Sequence, residues 1–334
     1  MAHELEITKN GAAMAYTGET PWHNLGRKVD HAMTAAEAIV AAQMDWEVGL
    51  RPVYSPVAHE TGLITYQAIP GKKSVVRNND QKALGVVGNK YMPLQNREAF
   101  SFFDAVVGEK LAMYHTVGSL FGGRKIWLLA KVPREFFVKG LEQEKIDEYM
   151  LLQNSHDGSS AVKILLTSVR VVCNNTLTQA ISDGSGMYKL RHTSSIGDKV
   201  SAVRDAMGIV DYKFKLFEDL SNRLANAPIN SAKVDEFFEK MGLKVMPGDS
   251  DVARSRTTTQ RLSILEKIEN GKGNTHPAIK GTAWALLNGY TEYVDHVRKI
   301  KGKDDVADRR MDSVLFGTGS EQKRKAMDVA LSLI

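Results

Sequence analysis

The stretch VGSLFGGRKIWLLAKV, residues 117–132, decides how the middle of the chain folds. Gly122 and Gly123 separate two runs of β-forming residues, a pattern typical of a type I′ or II′ hairpin turn. A Walker-type phosphate loop would need a helix after the glycines and a Ser or Thr directly after Lys125. Ile126 follows Lys125 and the next residues are again β-forming. The sequence therefore predicts strand, turn and strand rather than a nucleotide-binding loop.

The side chains of the second strand alternate between two faces, because successive residues of a strand point to opposite sides. One face is apolar and is expected to meet the core; it carries Ile126, Leu128 and Ala130. The other face mixes cations with a large ring; it carries Lys125, Trp127, Leu129 and Lys131. Proteins that bind single-stranded nucleic acid use this mixture, with a cation for the phosphate and a ring for the base.

Two interpretations of this mixed face remain open. In the first, single-stranded DNA is contacted by Arg124, Lys125, Trp127 and Lys131. In the second, Trp127 packs beneath a helix predicted at 96–107, while the lysine stems lie along the protein and their ammonium groups stay in water. Both interpretations expect Arg124 and Lys125 to be exposed at the tip of the hairpin.

The residues before the hairpin are predicted to form an arm, a helix and a small β-meander. Residues 1–30 show no regular period and are expected to be irregular. A helix is predicted over 34–44, with Thr34 as its N-cap and Glu37 completing a capping box. From Trp46 onward, short β-rich runs are broken by Pro and Gly, which is typical of a meander.

The residues after the hairpin are predicted to form further strands and then helices. EYMLLQNS at 148–155 and AVKILLTSVRVV at 161–172 have the β-rich composition of strands. NNTLTQAI, which follows, is predicted to begin a helix capped by Asn174 or Asn175. After a Gly- and Ser-rich connection, the sequence has helical periodicity to its end.

These elements predict an α+β fold in two parts. Residues 1–183 are expected to form an α+β domain with an N-terminal arm, an antiparallel sheet and an α-β-β-β-α core. Residues 184–334 are expected to form a mainly α-helical region. A chain of 334 residues is long enough for one large domain or two smaller ones.

The composition is that of an ordinary globular protein with a mildly basic balance. The net charge is +5 and the pI is near 9.0, which is compatible with a nucleic-acid partner but does not require one. No apolar run reaches the roughly 18 residues of a membrane span, and the N-terminus lacks the pattern of a secretory signal. The single cysteine, Cys173, excludes a disulfide framework within the chain. These features predict a cytoplasmic protein without a membrane partner.

Each candidate for catalytic chemistry has a simpler structural interpretation. Cys173 follows a predicted strand and is expected to be a buried thiol. Glu292, Asp295 and His296 share one side of a predicted helix, where an ion-paired or solvated face is favoured over a metal site that needs ligands from a second helix. The Pro-Trp-His turn at 21–23, with Trp22 and His23, is expected to be structural. Because the common catalytic motifs are absent from the sequence, an enzyme is disfavoured and no cofactor or metal is predicted.

Several motifs in order resemble the phage/plasmid-like protein family, a domain of unknown function (932). They are PWHNLG at 21–26, FFDAVVG at 102–108, VGSLFGGRKIWLLAKVP at 117–133, SVRVVCNNTL at 168–177, GTAWALLNGYTEYVDHVR at 281–298 and SVLFGTGSEQKRKAMDVAL at 313–331. The resemblance covers nearly the whole chain and implies an origin in a phage, prophage or plasmid. It brings no activity and no catalytic residues.

The predicted order of core elements, α-β-β-β-α, also resembles that of single-strand annealing proteins of the Rad type and the phage Red-beta type. That resemblance implies a homo-oligomeric ring or filament in the cytoplasm of the bacterial host, with a basic groove for single-stranded DNA. Lys163 and Arg170, on the strands after the hairpin, would extend the groove. The meander and the helical half lie outside the shared core.

Three functions are therefore open. The first is a protein that binds single-stranded DNA in annealing or recombination, without a nucleotide. The second is a structural or assembly protein of a phage, and the third is a metal-dependent enzyme using Glu292 and His296. Further basic clusters favour the first function; they lie at 189–204, 213–215, 254–261 and 323–325.

Overall fold

The structure of the protein is a computed structural model. It describes residues 5–18, 25–31, 33–107, 113–138, 145–170, 175–178, 187–193, 210–300, 310, 313–314 and 317–334. Thirteen strands lie in this described part: β1 (Ile7–Thr8), β2 (Gly11–Ala12), β3 (Met14–Tyr16), β4 (Arg27–Lys28), β5 (Val48–Ala58), β6 (Ile64–Arg77), β7 (Ala83–Gly88), β8 (Met113–Leu120), β9 (Lys125–Phe137), β10 (Lys145–Ser155), β11 (Val162–Arg170), β12 (Asn175–Thr178) and β13 (Met187–Leu190).

An eight-stranded sheet forms the centre of the N-terminal half. Its strand order is β12-β11-β10-β9-β8-β3-β4, and β13 pairs with the same strand, β11, as β12 does. Neighbouring strands are antiparallel, except that β3 and β4 are parallel. A separate three-stranded antiparallel sheet has the order β5-β6-β7, and β1 and β2 form a small hairpin. The α+β class and the antiparallel sheet are confirmed.

Seven α-helices lie in the described part of the chain: α1 (Ala35–Ala41), α2 (Asn96–Val107), α3 (Val210–Ala225), α4 (Ser231–Lys240), α5 (Asp251–Asn270), α6 (Ala283–Glu292) and α7 (Thr318–Leu331). A π-helical turn, Tyr293–Val297, continues α6. The predicted capping box of α1 is confirmed: Thr34 accepts a hydrogen bond from the Glu37 backbone, and the Glu37 side chain accepts one from the Thr34 backbone. The predicted helical C-terminal half is also confirmed.

The main sheet is covered on both faces. One face packs on α1, α2 and the three-stranded sheet; its buried side chains include Ile126, Leu128 and Ala130, the face predicted to meet the core. On the opposite face, Leu5, Met14 and Tyr16 of the N-terminal arm are buried together with Trp127, Leu151 and Leu165.

The helical half has its own core, built around α6, and it also buries the far end of β9 and β10. Phe136 and Ile146 belong to this core, and the Phe136 ring meets Phe217 of α3 edge to face. The predicted boundary at residues 183–184 lies outside the described residues and stays a prediction. Among the described residues, no helix combines the length and apolar character that crossing a bilayer requires.

Two local predictions were wrong. The arm at 1–30 was expected to be irregular, yet Met14–Tyr16 is a buried strand that pairs with β8, with Ala15 opposite Val117. Residues 175–178, expected to begin a helix, form β12 against the end of β11. Both segments are only three or four residues long, so their state is set by a pairing partner far away in the chain and not by local period.

Candidate nucleic-acid interface

The Gly-Gly stretch forms the tip of a β-hairpin, as predicted. Leu120, the last residue of β8, pairs with Lys125, the first of β9. The turn between them is not the two-residue turn that the sequence suggested. It has four residues, because Phe121 joins both glycines in the left-handed region, with φ of 55° at Phe121, 65° at Gly122 and 94° at Gly123. A left-handed conformation costs a residue with a side chain about 1–2 kcal/mol, so Phe121 is held under local strain.

The two glycines let cationic side chains approach the turn. A Cβ on Gly122 would collide with the Lys82 ammonium group, and one on Gly123 would come within 2.9 Å of Arg77 Nη1. Lys82 uses this space to donate a hydrogen bond of 2.9 Å from Nζ to the Gly122 carbonyl oxygen. The motif therefore brings residues of the β6–β7 turn onto the hairpin tip.

A cleft opens beside this tip, with a volume of about 1010 Å³. We call it the hairpin-tip cleft. Three segments line it: the N-terminal arm at 5–10, the end of β6 with its turn at 77–82, and the hairpin tip at 121–124; Gln43 and Trp46 complete the wall. None of these segments adjoins another in the chain, so the cleft exists only in the folded protein.

Arg77 forms the floor of the cleft and is buried. Its Nη1 donates to Glu6 Oε1 at 2.5 Å, its Nη2 donates to Asp80 Oδ2 at 2.6 Å, and its guanidinium carbon lies 5.1 Å from the centre of the Trp46 ring. Trp46 Nε1 is buried without a hydrogen-bond partner among the described residues. The floor thus combines a fixed guanidinium, an indole and one unused N–H donor.

The carboxylates of the cleft are both engaged by Arg77. Glu6 also accepts a hydrogen bond of 3.0 Å from Ser119 Oγ. The hydrogen bond from Arg77 holds the pKa of Asp80 below its usual range, so Asp80 is ionised at neutral pH. Glu6 is therefore buried against Arg77, whereas Asp80 pairs with Arg77 from a side chain that is 42% exposed.

Three further cations stand at the rim and are exposed: Lys9, Lys82 and Arg124. Arg124 donates from Nε to the Phe121 carbonyl oxygen at 3.1 Å, and its guanidinium carbon lies 5.5 Å from the Phe121 ring centre. Lys125 is half-buried, with Nζ 5.2 Å from the same ring. A ring flanked by cations at a concave rim can bind a phosphate and stack a base.

Trp127 does not belong to this exposed group. Its side chain is 1% exposed and packs with Met14, Tyr16 and Leu151 on the same face of the sheet. Burial of Trp127 matches the structural alternative, but the predicted cover was wrong, since α2 packs on the other face. In this conformation the indole offers no face to a base.

The other predicted contacts lie apart from the tip. Lys131 forms an ion pair of 2.7 Å with Asp147. Lys163 is half-buried and pairs across the strands with Lys189, two strands and about 10 Å of sheet away from β9. The side chain of Arg170 lies outside the described part. The structure therefore brings together only Arg124 and Lys125 from the predicted set, and it adds Lys9, Lys82 and Arg77.

The remaining predicted residues lie in the helical half or outside the described part of the chain. Asp295 forms a buried ion pair of 2.8 Å with Lys323, and Glu292 lies 3.6 Å from Lys267, so the ion-paired interpretation of this helix face is confirmed. His296 is exposed. Across the described part of the chain, no group of three His, Cys, Asp or Glu side chains is arranged to hold a metal ion. Trp22, His23 and Cys173 lie outside the described residues.

A family model described as a domain of unknown function (DUF932) matches residues 83–315. The chain belongs to this family. The matched segment contains the hairpin tip, the main-sheet strands from β8 onward and most of the helical half. Comparison with curated proteins and with solved structures gave no match. Lys9, Arg77 and Lys82 lie before the matched segment, so the cleft forms where the family domain meets the preceding residues.

Sequence reasoning missed Lys9, Arg77 and Lys82 because no local pattern connects them to the hairpin. A weak signal was present in the glycines themselves. Two adjacent glycines in a four-residue turn make room for another group to approach, and here that group is a pair of cations.

Proposed function

We propose that this protein binds single-stranded DNA in the hairpin-tip cleft and acts in strand annealing or recombination. The observation that carries the proposal is the convergence of three exposed cations, Lys9, Lys82 and Arg124, around a concave surface that also holds the ring of Phe121. Each cation comes from a different segment, so the fold assembles the positive rim.

The electrostatics of the cleft favour an anion. Glu6 and Asp80 are bound to Arg77, whereas Lys82 and Arg124 donate to backbone carbonyl oxygens, which neutralises no charge. The three rim cations therefore outnumber the single negative charge that is left when Arg77 pairs with both Glu6 and Asp80. A concave surface lined by charges of one sign attracts ions of the opposite charge more strongly than a flat surface does, so this cleft favours binding of a phosphate backbone.

The ring at the rim favours a single strand over a duplex. Phe121 is partly exposed, and both Arg124 and Lys125 lie over its ring, so a base that stacks in place of one cation has cations beside it for the flanking phosphates. Stacking on an aromatic ring contributes about 1–3 kcal/mol per base and tolerates any base. A duplex keeps its bases paired and offers the cleft only phosphates.

Binding of labelled single-stranded and double-stranded oligonucleotides of equal length tests the proposal. Wild type is expected to prefer the single strand, and Arg124→Ala/Lys125→Ala is expected to weaken single-strand binding at least tenfold. The matched control is Lys272→Ala/Lys280→Ala, which removes two exposed cations of the helical half that lie outside the basic clusters and so makes the same change in net charge. Equal losses in the two variants would mean that only net charge matters, and the proposed site would be wrong.

Annealing is tested separately from binding. The rate at which two complementary strands pair is measured with donor and acceptor dyes, with and without protein. The wild type is expected to accelerate pairing, and Arg124→Ala/Lys125→Ala is expected to lose most of the acceleration. Binding without acceleration would retain the site and reject the annealing role.

A further inference from the structure

The hairpin of β5 and β6 projects from the body of the protein. Every residue from 58 to 72 is exposed, as are Tyr54, Ser55 and Pro56 on the opposing strand. The third strand, β7, supports only the base of this hairpin, because its pairing with β6 ends at Lys72 opposite Gly88. We call the projecting part, residues 52–71, the ribbon.

The ribbon is apolar although it is exposed. Its sequence, PVYSPVAHETGLITYQAIPG, contains a single charged residue, Glu60, at the turn. Its large exposed side chains are Tyr54 (53% exposed), Leu63 (60%), Ile64 (57%), Tyr66 (70%) and Ile69 (40%). Exposed apolar surface of this extent on a protein marks a contact with another molecule.

The two edges of the ribbon differ in their ability to pair with another strand, and this difference indicates which edge forms the contact. On the β5 edge, Pro52 and Pro56 lack N–H donors, which protects that edge from pairing with another strand. On the β6 edge, the segment Ile64–Ile69 has no neighbour among the described residues and contains neither proline nor charge. An uncharged six-residue edge of high β-propensity is the type of segment that pairs with another strand.

The two tyrosines of the ribbon lie on one face and make that face largely aromatic. Tyr66 is opposite Pro56 and Tyr54 is opposite Ala68, so both rings lie on the same face as diagonal neighbours. Tyrosine is enriched at the centres of protein interfaces and charge is depleted there, which matches this face. Tyr66 lies on β6 itself, so when this edge pairs with another strand its ring meets the cross-strand side chains of that strand on the same face.

We propose that the free β6 edge, Ile64–Ile69, pairs antiparallel with the same segment of a second copy, which joins two ribbons into a four-stranded sheet. A two-fold axis perpendicular to the sheet keeps like faces on one side, so the tyrosines of both copies share one apolar surface. Because the segment is uncharged, identical copies meet without repulsion.

A nucleic acid suits the ribbon less well, because no Lys or Arg occurs between Pro52 and Gly71 to meet its phosphates. The proposed pairing does not depend on DNA binding in the hairpin-tip cleft. A two-fold contact closes on itself, so this contact gives a dimer.

The pairing is tested by placing charges on the β6 edge of each copy. Sedimentation in the absence of DNA then measures the molar mass of each variant and of their mixture. Wild type is expected to reach twice the 36.9 kDa of one chain. Thr65→Lys/Gln67→Lys and Thr65→Glu/Gln67→Glu each place like charges across the two-fold axis, so each alone is expected to remain a monomer. An equimolar mixture of the two is expected to recover the dimer mass, because opposite charges then face each other.

The matched control is Thr258→Lys/Thr259→Lys, which adds two lysines at exposed positions of α5 and is expected to leave the dimer intact. A monomeric wild type at every concentration would overturn the proposal, as would a dimer that persists in both charged variants. A mixture of the lysine and glutamate variants that stays monomeric would overturn it as well. In each case the cleft variants still test DNA binding independently.

Discussion

At the scale of single residues, Gly118 shows how a missing Cβ fixes the position of a ring. It lies in β8 beneath the indole of Trp127, and a Cβ added there would come within 2.7 Å of the ring carbon Cζ2. Trp127 is 1% exposed and packs in a cluster with Met14, Tyr16 and Leu151, so it has little room to move.

Gly118→Ala is therefore expected to lower the free energy of unfolding by about 1–3 kcal/mol, the usual cost of overpacking a core. Urea denaturation of wild type and variant measures the difference. Gly88→Ala is the matched control, because a Cβ on this other strand glycine meets nothing within 4 Å. An equal or smaller loss for Gly118→Ala than for the control would contradict the packing described.

His156 shows how burial sets a proton equilibrium. The Asn96 amide donates to the Met44 carbonyl oxygen, which turns Asn96 Oδ1 toward His156, so Nε2 of the ring donates to it at 2.9 Å. Nδ1 is buried without a partner among the described residues. Burial lowers the pKa of His156 to about 3, with the neighbouring His192 contributing.

This depressed pKa predicts acid sensitivity. Above pH 6.5 both folded and unfolded chains hold a neutral ring, and the full stability is present. As the pH falls from 6.5 toward 3, the unfolded chain takes up a proton that the folded chain does not, so the free energy of unfolding decreases. Between pH 7 and pH 5, His156 is expected to account for a loss of about 2 kcal/mol. Urea denaturation at pH 7 and pH 5 should show that the free energy of unfolding falls less in His156→Gln than in wild type. An equal fall in both proteins would mean that His156 is not the group responsible.

At the scale of elements, Arg77 ties three of them together. It ends β6, binds Glu6 of the N-terminal arm, and through Glu6 reaches Ser119 of β8. Glu6 and Arg77 are both buried. Removing one partner of a buried ion pair leaves the other charge without compensation and typically costs 3–5 kcal/mol.

Arg77→Met is expected to show that cost in denaturation, whereas the double variant Arg77→Met/Glu6→Gln should lose less than the sum of the single changes. Asp80→Asn is the control, because its side chain is 42% exposed and its ion pair should contribute at most about 1 kcal/mol. If the losses in free energy of unfolding of the two single variants simply add up in the double variant, Arg77 and Glu6 stabilise the fold independently, which would contradict the ion pair.

The elements also show what the sequence can predict. The hairpin at 113–137, its alternating faces and the capping box at Thr34 follow from local patterns, and all three are confirmed. The strand at Met14–Tyr16 does not follow from a local pattern, because it forms by pairing with the β8 residues around Val117, about a hundred residues later in the chain. The predicted two-residue turn was wrong, because tertiary contacts of Lys82 and Arg77 hold a strained four-residue loop that includes Phe121.

At the scale of the whole molecule, the candidate site could not be assembled from the sequence. The mixed strand face suggested Trp127, Lys131 and Lys163 as a continuous surface, but one is buried, one is paired with Asp147 and one lies two strands away. The cations of the cleft come from segments separated by up to 115 residues, from Lys9 to Arg124. Charge clusters become a site only when the fold places them on one concave surface.

The most direct measurement is the salt dependence of single-strand binding by wild type and by Lys82→Ala/Arg124→Ala. Each cation that neutralises a phosphate contributes about 0.7 to the slope of log affinity against log salt concentration. Binding at the cleft predicts a salt-sensitive wild type and a slope that is smaller by about 1.4 in the variant. A variant with the affinity and slope of wild type, or a wild type that does not bind at low salt, would contradict the proposed DNA site.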